Sequence, residues 1–299
     1  MTGSSGQLGA ELLRALQPLG EVTAPVRGQV DLADVSSDFS SLRETIRQVR
    51  PQWIVNPAAY TAVDEAESEQ ELAYAVNRDA VRVMGEEAQR IGAAVLHFST
   101  DYVFDGTSTQ AYTESDTTGP VSVYGASKLA GEKALAESGA AHAIFRTSWV
   151  YGGQGKNFLL TILRLARQIK TVKVVADQHG APTWSRDLAA MTASVMQRCE
   201  SEAAGSSLES AMQQFGGLYH ATGAGETTWF GFAAEAVRQV REREPEAKLA
   251  EIVAITTAEY PTPARRPVNS RMSCERLAAQ FGWRMMDWQE SLRKVLSEL

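Results

Sequence analysis

The chain has 299 residues, 44% of them hydrophobic and 22% charged, and a formal net charge of −7. That length can bury a substantial core, as one large or two modest domains. The acidic balance argues against nucleic-acid or anionic-membrane partners, while leaving room for a local basic pocket that takes a nucleotide diphosphate. No apolar run is long enough for a spanning helix, and no charged-then-apolar leader precedes the first motif. Cys199 and Cys274 stand apart without metal-ligand spacing, and read as ordinary thiols of a reducing compartment. The expected location is the cytoplasm.

The chain opens on Gly3-Ser-Ser-Gly6-Gln-Leu-Gly9, which runs into an amphipathic helix over 10–16. Glycines let backbone approach a phosphate closely, and a helix N-terminus adds free N–H groups and a positive dipole end. A flexible Gly/Ser terminus is the plainer reading of the same residues. Residues 21–26 read as a short strand, 41–49 as a helix ended before Pro51, and 53–55 as a buried strand. Helical spacing spans 71–91. The apolar run over 94–98 then delivers Ser99, Thr100 and Asp101 at its carboxyl end, where open α/β sheets bind ligands. A helix carrying Tyr124 and a buried strand over 142–146 follow.

Such alternation predicts a parallel sheet with helices on both faces. Beyond about residue 150 the pattern loosens into a helix over 157–169 and a strand over 172–176. A polar stretch over 200–217 reads as a loop or linker, and the closing part adds helices and a Pro-rich loop at 261–267. The expected fold is α/β, a Rossmann-type doubly wound parallel sheet with a smaller C-terminal substrate domain. Residues 1–150 form the dinucleotide domain, joined by the strand near 172–176, and 151–299 form mainly the substrate domain.

Tyr124-Gly-Ala-Ser-Lys128 carries the chemistry. Side chains at i and i+4 share one helix face, so phenol and ammonium can meet in one pocket. A nearby positive charge favours the phenolate and lowers the tyrosine pKa, making the hydroxyl usable as an acid or base near neutral pH. The spacing also occurs on solvated helices, so its weight comes from the glycine turn and the Ser-Thr-Asp strand end beside it.

These three motifs, in this order, resemble the extended short-chain dehydrogenase/reductase superfamily. Further stretches narrow the resemblance to its nucleotide-sugar reductases: Asn56-Pro-Ala-Ala-Tyr-Thr-Ala-Val-Asp64, Ser99-Thr-Asp-Tyr-Val-Phe-Asp-Gly106, Phe145-Arg-Thr-Ser-Trp-Val-Tyr151, Gly180-Ala-Pro-Thr183, and Tyr260-Pro-Thr-Pro-Ala264 with Arg266-Pro-x-Asn-Ser-Arg271. The resemblance runs along nearly the whole chain. It implies NAD(P)H-dependent reduction of the 4-keto group of dTDP-4-dehydro-L-rhamnose to dTDP-L-rhamnose, by a monomer or homodimer with no nucleic-acid or membrane partner.

The resemblance also assigns roles. Tyr124 gives the proton, Lys128 lowers its pKa and binds the nicotinamide ribose, and Thr100 hydrogen-bonds the same substrate oxygen. Asp101 and Trp149 contact substrate. Gly3, Gly6, Gln7 and Leu8 line the pyrophosphate, Asp31 and Leu32 meet the adenine, and Ala58, Ala59, Tyr60 and Thr61 pass near the cofactor. Arg27, after the second strand, suits a 2′-phosphate and tilts the expectation to NADPH, with NADH as the alternative.

Other members of the superfamily, an epimerase or a dehydratase, are the runner-up, together with a non-catalytic regulatory subunit like that of methionine adenosyltransferase. Dehydratases carry an Asp-Glu pair after the active-site threonine, whereas here Tyr102 follows Asp101. Some relatives bridge a dimer through magnesium and three glutamates. Glu11 matches the first, but Arg186 falls near the middle position, so no magnesium bridge is expected. His97, His142, His179 and His220 are scattered and read as structural, and no metal is expected.

One departure stands out. A Rossmann fold needs a strand before its glycine turn, and only Met1 and Thr2 precede Gly3. The first strand is therefore expected to be missing, as from a start assigned too late.

Overall fold

The computed structural model describes all residues except Gly205 and Ser206. Its centre is a parallel sheet in the order Trp53–Asn56, Ala94–Thr100, Ala141–Thr147, Gly217–His220. Every residue of Ala94–Thr100 is buried, which explains its unbroken apolar pattern: a strand covered on both faces has no solvent side to alternate with. Its side chains divide between two cores with period two. Leu96 and Phe98 join Leu12, Leu16, Leu188, Met191 and Met212 on one face. Val95 joins Leu42, Ile46, Val81, Met84 and Leu135 on the other.

Helices therefore clothe both faces, the doubly wound arrangement the alternation predicted. Gln7–Leu16, Ser185–Glu202 and Leu208–Phe215 lie on one side, and Ser40–Val49, Ala80–Ile91 and Val123–Glu137 on the other. The helical stretch predicted over 71–91 forms as Gln70–Tyr74 and Ala80–Ile91, joined by a π-helical segment at Ala75–Asp79.

A second, smaller layer follows. Thr171–Val175 pairs in parallel with Glu251–Ile255, and this ribbon packs against Phe158–Gln168 and Trp229–Arg243 through Ile162, Val172, Val174, Ala233 and Val237. The strand near 172–176 thus forms but does not join the central sheet. The fourth central strand is Gly217–His220, at the end of the stretch read as a loop. Of that stretch, residues up to Glu202 and Leu208–Phe215 are helical. The small polar residues hid two helices because Ala211, Met212 and Phe215 supply enough apolar surface to dock on the sheet.

Residues 21–26 are not a strand. Met1 donates its amine to the Thr23 carbonyl at 2.7 Å and Thr2 its N–H to the Val55 carbonyl at 3.1 Å. Beyond them a groove of about 520 Å³, lined by Leu16, Leu19, Val30, Ile46 and Met196, separates 21–26 from Trp53–Asn56. With a groove on that side, the 21–26 backbone has no ladder partner.

Among the described residues, no helix is long and apolar enough to cross a membrane.

Candidate active site

The candidate site lies at the carboxyl end of the central strands. Thr100 ends Ala94–Thr100 and caps the short 3₁₀ turn that follows, its Oγ1 accepting from the Tyr102 N–H at 3.2 Å and donating to Asp101 Oδ1 at 3.0 Å. The helix Val123–Glu137 starts beside it, capped by Ser122, whose Oγ accepts from the Gly125 N–H at 3.2 Å. A Cβ on Gly125 would stand 2.1 Å from the Tyr102 carbonyl oxygen, so the residue after Tyr124 must be glycine for the helix to reach the strand end. Tyr124 stacks edge-on against Tyr102, centroids 5.8 Å apart.

Tyr124, Thr100 and Asp101 therefore share one wall, and their protonation reflects its dryness. Burial pushes the Tyr124 phenol up to about 12, with the Thr100 hydroxyl opposing the shift and the Asp101 charge adding to it. This corrects the expectation that Lys128 lowers that pKa. The Lys128 ammonium turns the other way, donating to the Phe98 carbonyl at 2.7 Å and lying 3.3 Å from His97 Nε2. Burial pulls Lys128 down to about 8, with the Glu132 carboxylate opposing. Asp101 is pushed up to about 7 by burial, with the nearby Ser270 and Thr100 hydroxyls opposing the shift.

The wall continues into the smaller layer. Ser270 Oγ donates to the His179 carbonyl at 3.3 Å, and Gly180 lies directly under the Trp149 ring, leaving no room for a Cβ. Trp149 has a left-handed backbone, φ +47°. Its ring lies flat on Trp229, centroids 3.7 Å apart and planes 14° from parallel.

The glycine turn builds a second cavity, of about 270 Å³, lined by Gly3, Arg27, Asp31, Leu32, Ala58, Ala59 and Tyr60 among others. Gly3 adopts φ +58°, and any Cβ there would press on the Ala58 backbone at 3.0 Å. Gly6 begins the Gln7–Leu16 helix with no side-chain cap and no acidic residue in its first turn, which leaves N–H groups and the positive dipole end open to a phosphate. Gly6, Gln7, Leu8 and Thr61 do not line this cavity. The Gln7 side chain donates to the Val150 carbonyl at 2.7 Å and accepts from Asn157 at 3.0 Å, and Leu8 packs on the core.

The chain matches the model of the RmlD substrate binding domain over residues 1–299. It belongs to that family. Among RmlD-family relatives, the dTDP-4-dehydrorhamnose reductase of Burkholderia thailandensis is 44% identical, across 100% of this chain and 98% of the relative. That of Escherichia coli K12 is 44% identical, across 99% and 96%. The crystal structure of the reductase from Clostridium acetobutylicum superposes with a TM-score of 0.87 at 32% identity, covering 99% of this chain and 97% of that one. The Bacillus anthracis reductase, solved in complex with NADP, gives 0.84 at 32%, covering 100% and 98%.

Several residues of this RmlD-family site escape motif reading. Asn77, in the π-helical segment, accepts from the Tyr60 N–H at 2.9 Å and donates to the Tyr60 carbonyl at 3.0 Å and to Ser127 at 3.0 Å. It ties the loop lining the cavity at the glycine turn to the Tyr124 helix, and π-turns often mark functional places. Trp229 and Ser270 reach the site only through tertiary folding. Arg266 forks onto Asp64 at 2.8 and 3.0 Å, so two motifs far apart in sequence are clamped together.

Proposed function

We infer that the chain is an NAD(P)H-dependent oxidoreductase reducing the 4-keto group of dTDP-4-dehydro-L-rhamnose to dTDP-L-rhamnose. The observation that carries this reading is the meeting of Tyr124, Thr100 and Asp101 at one strand end, next to the cavity at the glycine turn. The residues present suit a dinucleotide: a strained glycine turn, an uncapped helix N-terminus, and a groove holding Arg27 and Asp31. Reduced nicotinamide, when bound, supplies hydride to sugar C4.

The chain's own residues do the rest. Tyr124 Oη gives its proton to the sugar O4 as the carbonyl becomes an alcohol. A phenol held near 12 stays protonated until the developing alkoxide takes that proton, so high acidity is not required of it. The Thr100 hydroxyl bonds the same oxygen as charge builds, a contact strongest in the transition state. Lys128 binds the nicotinamide ribose. Asp101 and Trp149 hold the sugar. The backbone of Gly3, Gly6, Gln7 and Leu8 faces the pyrophosphate, Asp31 and Leu32 meet the adenine, and Ala58 to Thr61 flank the ribose. Arg27, paired only loosely with Asp31 at 3.7 Å and largely exposed, is placed for a 2′-phosphate, so NADPH is the preferred cofactor. The central sheet with its helices is the dinucleotide domain, and the layer around Thr171–Val175 with the 260–271 segment is the substrate domain.

Elimination chemistry has less support, because Tyr102 sits where a dehydratase places a carboxylate and burial raises its pKa further. The test mixes the chain with NADPH and dTDP-4-dehydro-L-rhamnose and follows loss of reduced-nicotinamide absorbance. Substrate-dependent oxidation that collapses in Tyr124→Phe supports the assignment. Oxidation undiminished in the variant removes Tyr124 as the acid, and none at all in the unaltered chain sinks the reading.

A further inference from the structure

Beneath the Tyr124 helix, polar side chains form a line through the core. Thr2 Oγ1 lies 2.5 Å from Asn56 Oδ1, Asn56 Nδ2 is 3.0 Å from His97 Nδ1, and His97 Nε2 is 3.3 Å from Lys128 Nζ. Asn56, His97 and Lys128 are each at most 1% exposed, so none can turn to solvent for a partner. Such a line must be satisfied internally. Burial, then the Lys128 charge, hold His97 well below its ordinary pKa, and the ring is neutral with one N–H.

That single hydrogen decides the arrangement. An ammonium has three donors and no acceptor, so beside charged Lys128 the His97 Nε2 must be the accepting nitrogen. The ring hydrogen then sits on Nδ1 and needs an acceptor, which the Asn56 amide provides once its oxygen faces the ring. Amide orientation follows from the hydrogen-bond network. The opposite arrangement, with Nε2–H and the Asn56 NH₂ toward the ring, fits only a neutral Lys128. We propose that His97, with its tautomer set by Asn56, is a positioning residue for Lys128. It supplies the acceptor that, with the Phe98 carbonyl, holds the ammonium in place.

The charged and titratable groups facing this ammonium are few. Glu132 lies on its own helix and His97 on the strand below, while His142 on the neighbouring strand acts on His97. Removing the His97 acceptor withdraws a bond made to the charged form, so Lys128 should lose its proton at lower pH.

The proposal rests on the reading of Lys128 as a site residue, but its first test needs no activity. Nitrogen-15 NMR of the histidine-labelled full chain at pH 7, with His97 assigned by its loss in His97→Gln, should show a pyrrole-type Nδ1 and a pyridine-type Nε2. The reverse pattern overturns the proposal. In a reductase assay, the basic limb of the kcat/KM profile should fall by about one pH unit in His97→Leu. His97→Gln, whose side-chain oxygen reaches the Nε2 position, should restore it. A limb unmoved in a folded His97→Leu also overturns the proposal. A chain inactive in every form but showing the expected tautomer would sink the reductase reading and leave the line intact.

Discussion

Trp149 and Trp229 lie face to face, ring centroids 3.7 Å apart and 14° from parallel. One follows the third central strand, Ala141–Thr147, and the other opens the helix Trp229–Arg243. A flat aromatic pair contributes about 0.5–1.5 kcal/mol beyond its area burial. In the proposed substrate wall it also fixes the face that Trp149 would offer to a sugar. Trp229→Ala should raise KM for the sugar nucleotide about tenfold or less by freeing that face, with kcat near normal. Steady-state kinetics check this, and an unchanged KM would remove the pair from the substrate wall. Trp149→Gly should lose the same affinity yet melt higher than Trp149→Ala, because only glycine adopts the +47° backbone without strain.

Tyr124→Phe removes one hydroxyl and leaves the ring against Tyr102. General-acid contributions are about 10²–10⁴-fold, and kcat should fall by that factor while NADPH affinity, read by titrating cofactor fluorescence, changes little. A parallel loss of cofactor binding would assign the hydroxyl to the ribose instead.

Asp101 links stability to pH. Its pKa rises from 3.8 to about 7 on folding because burial penalises the charge, so the folded state holds a proton the unfolded state gives up. Its contribution is complete below the unfolded value and is lost as pH rises toward 7. Asp101→Asn cannot ionise, so its Tm relative to the unaltered chain should rise between about pH 4 and 7 and then level off. A Tm difference independent of pH would place the Asp101 carboxyl in water.

Arg146 and Glu132 form a bidentate pair at 2.9 and 2.7 Å, buried beneath Phe104. Removing one partner strands the other charge in a dry core, which typically costs about 3–5 kcal/mol. Glu132→Ala should show that loss in urea denaturation at unchanged m-value. A cost below about 1 kcal/mol would mean that Arg146 finds water.

Arg186 reaches Glu11 at 3.2 Å and Glu298 at 2.6 Å. A guanidinium between two carboxylates puts positive charge where a divalent ion would sit and repels such an ion. Activity should therefore survive EDTA and gain nothing from added Mg²⁺. Loss on chelation, restored by Mg²⁺, would place a metal in the working enzyme.

Much of the site was legible because its chemistry is local. The Tyr124–Lys128 spacing, the Thr100 strand end and the Gly3 turn each lie within a few residues, and propensity, capping and backbone conformation act over that range. Their pKa values were not legible. Proximity along the helix suggested that Lys128 acidifies Tyr124, yet the ammonium points to Phe98 and His97 on a strand beneath it. Residues 21–26 misled for the same reason, since a strand exists only where a neighbour accepts its hydrogen bonds.

By itself the sequence determined the alternation of strands and helices and the family, and it nominated candidate residues for a cofactor and a carbonyl. These follow from side-chain periodicity and from short motifs that carry their own geometry. Tertiary structure decided what distant residues do together. It stacked Trp229 on Trp149, forked Arg266 onto Asp64, sent Thr171–Val175 to Glu251–Ile255, and placed Arg186 between Glu11 and Glu298. Those contacts join segments widely separated along the chain, and which of them meet is set by how the two layers pack their apolar faces, a global balance that no local pattern encodes.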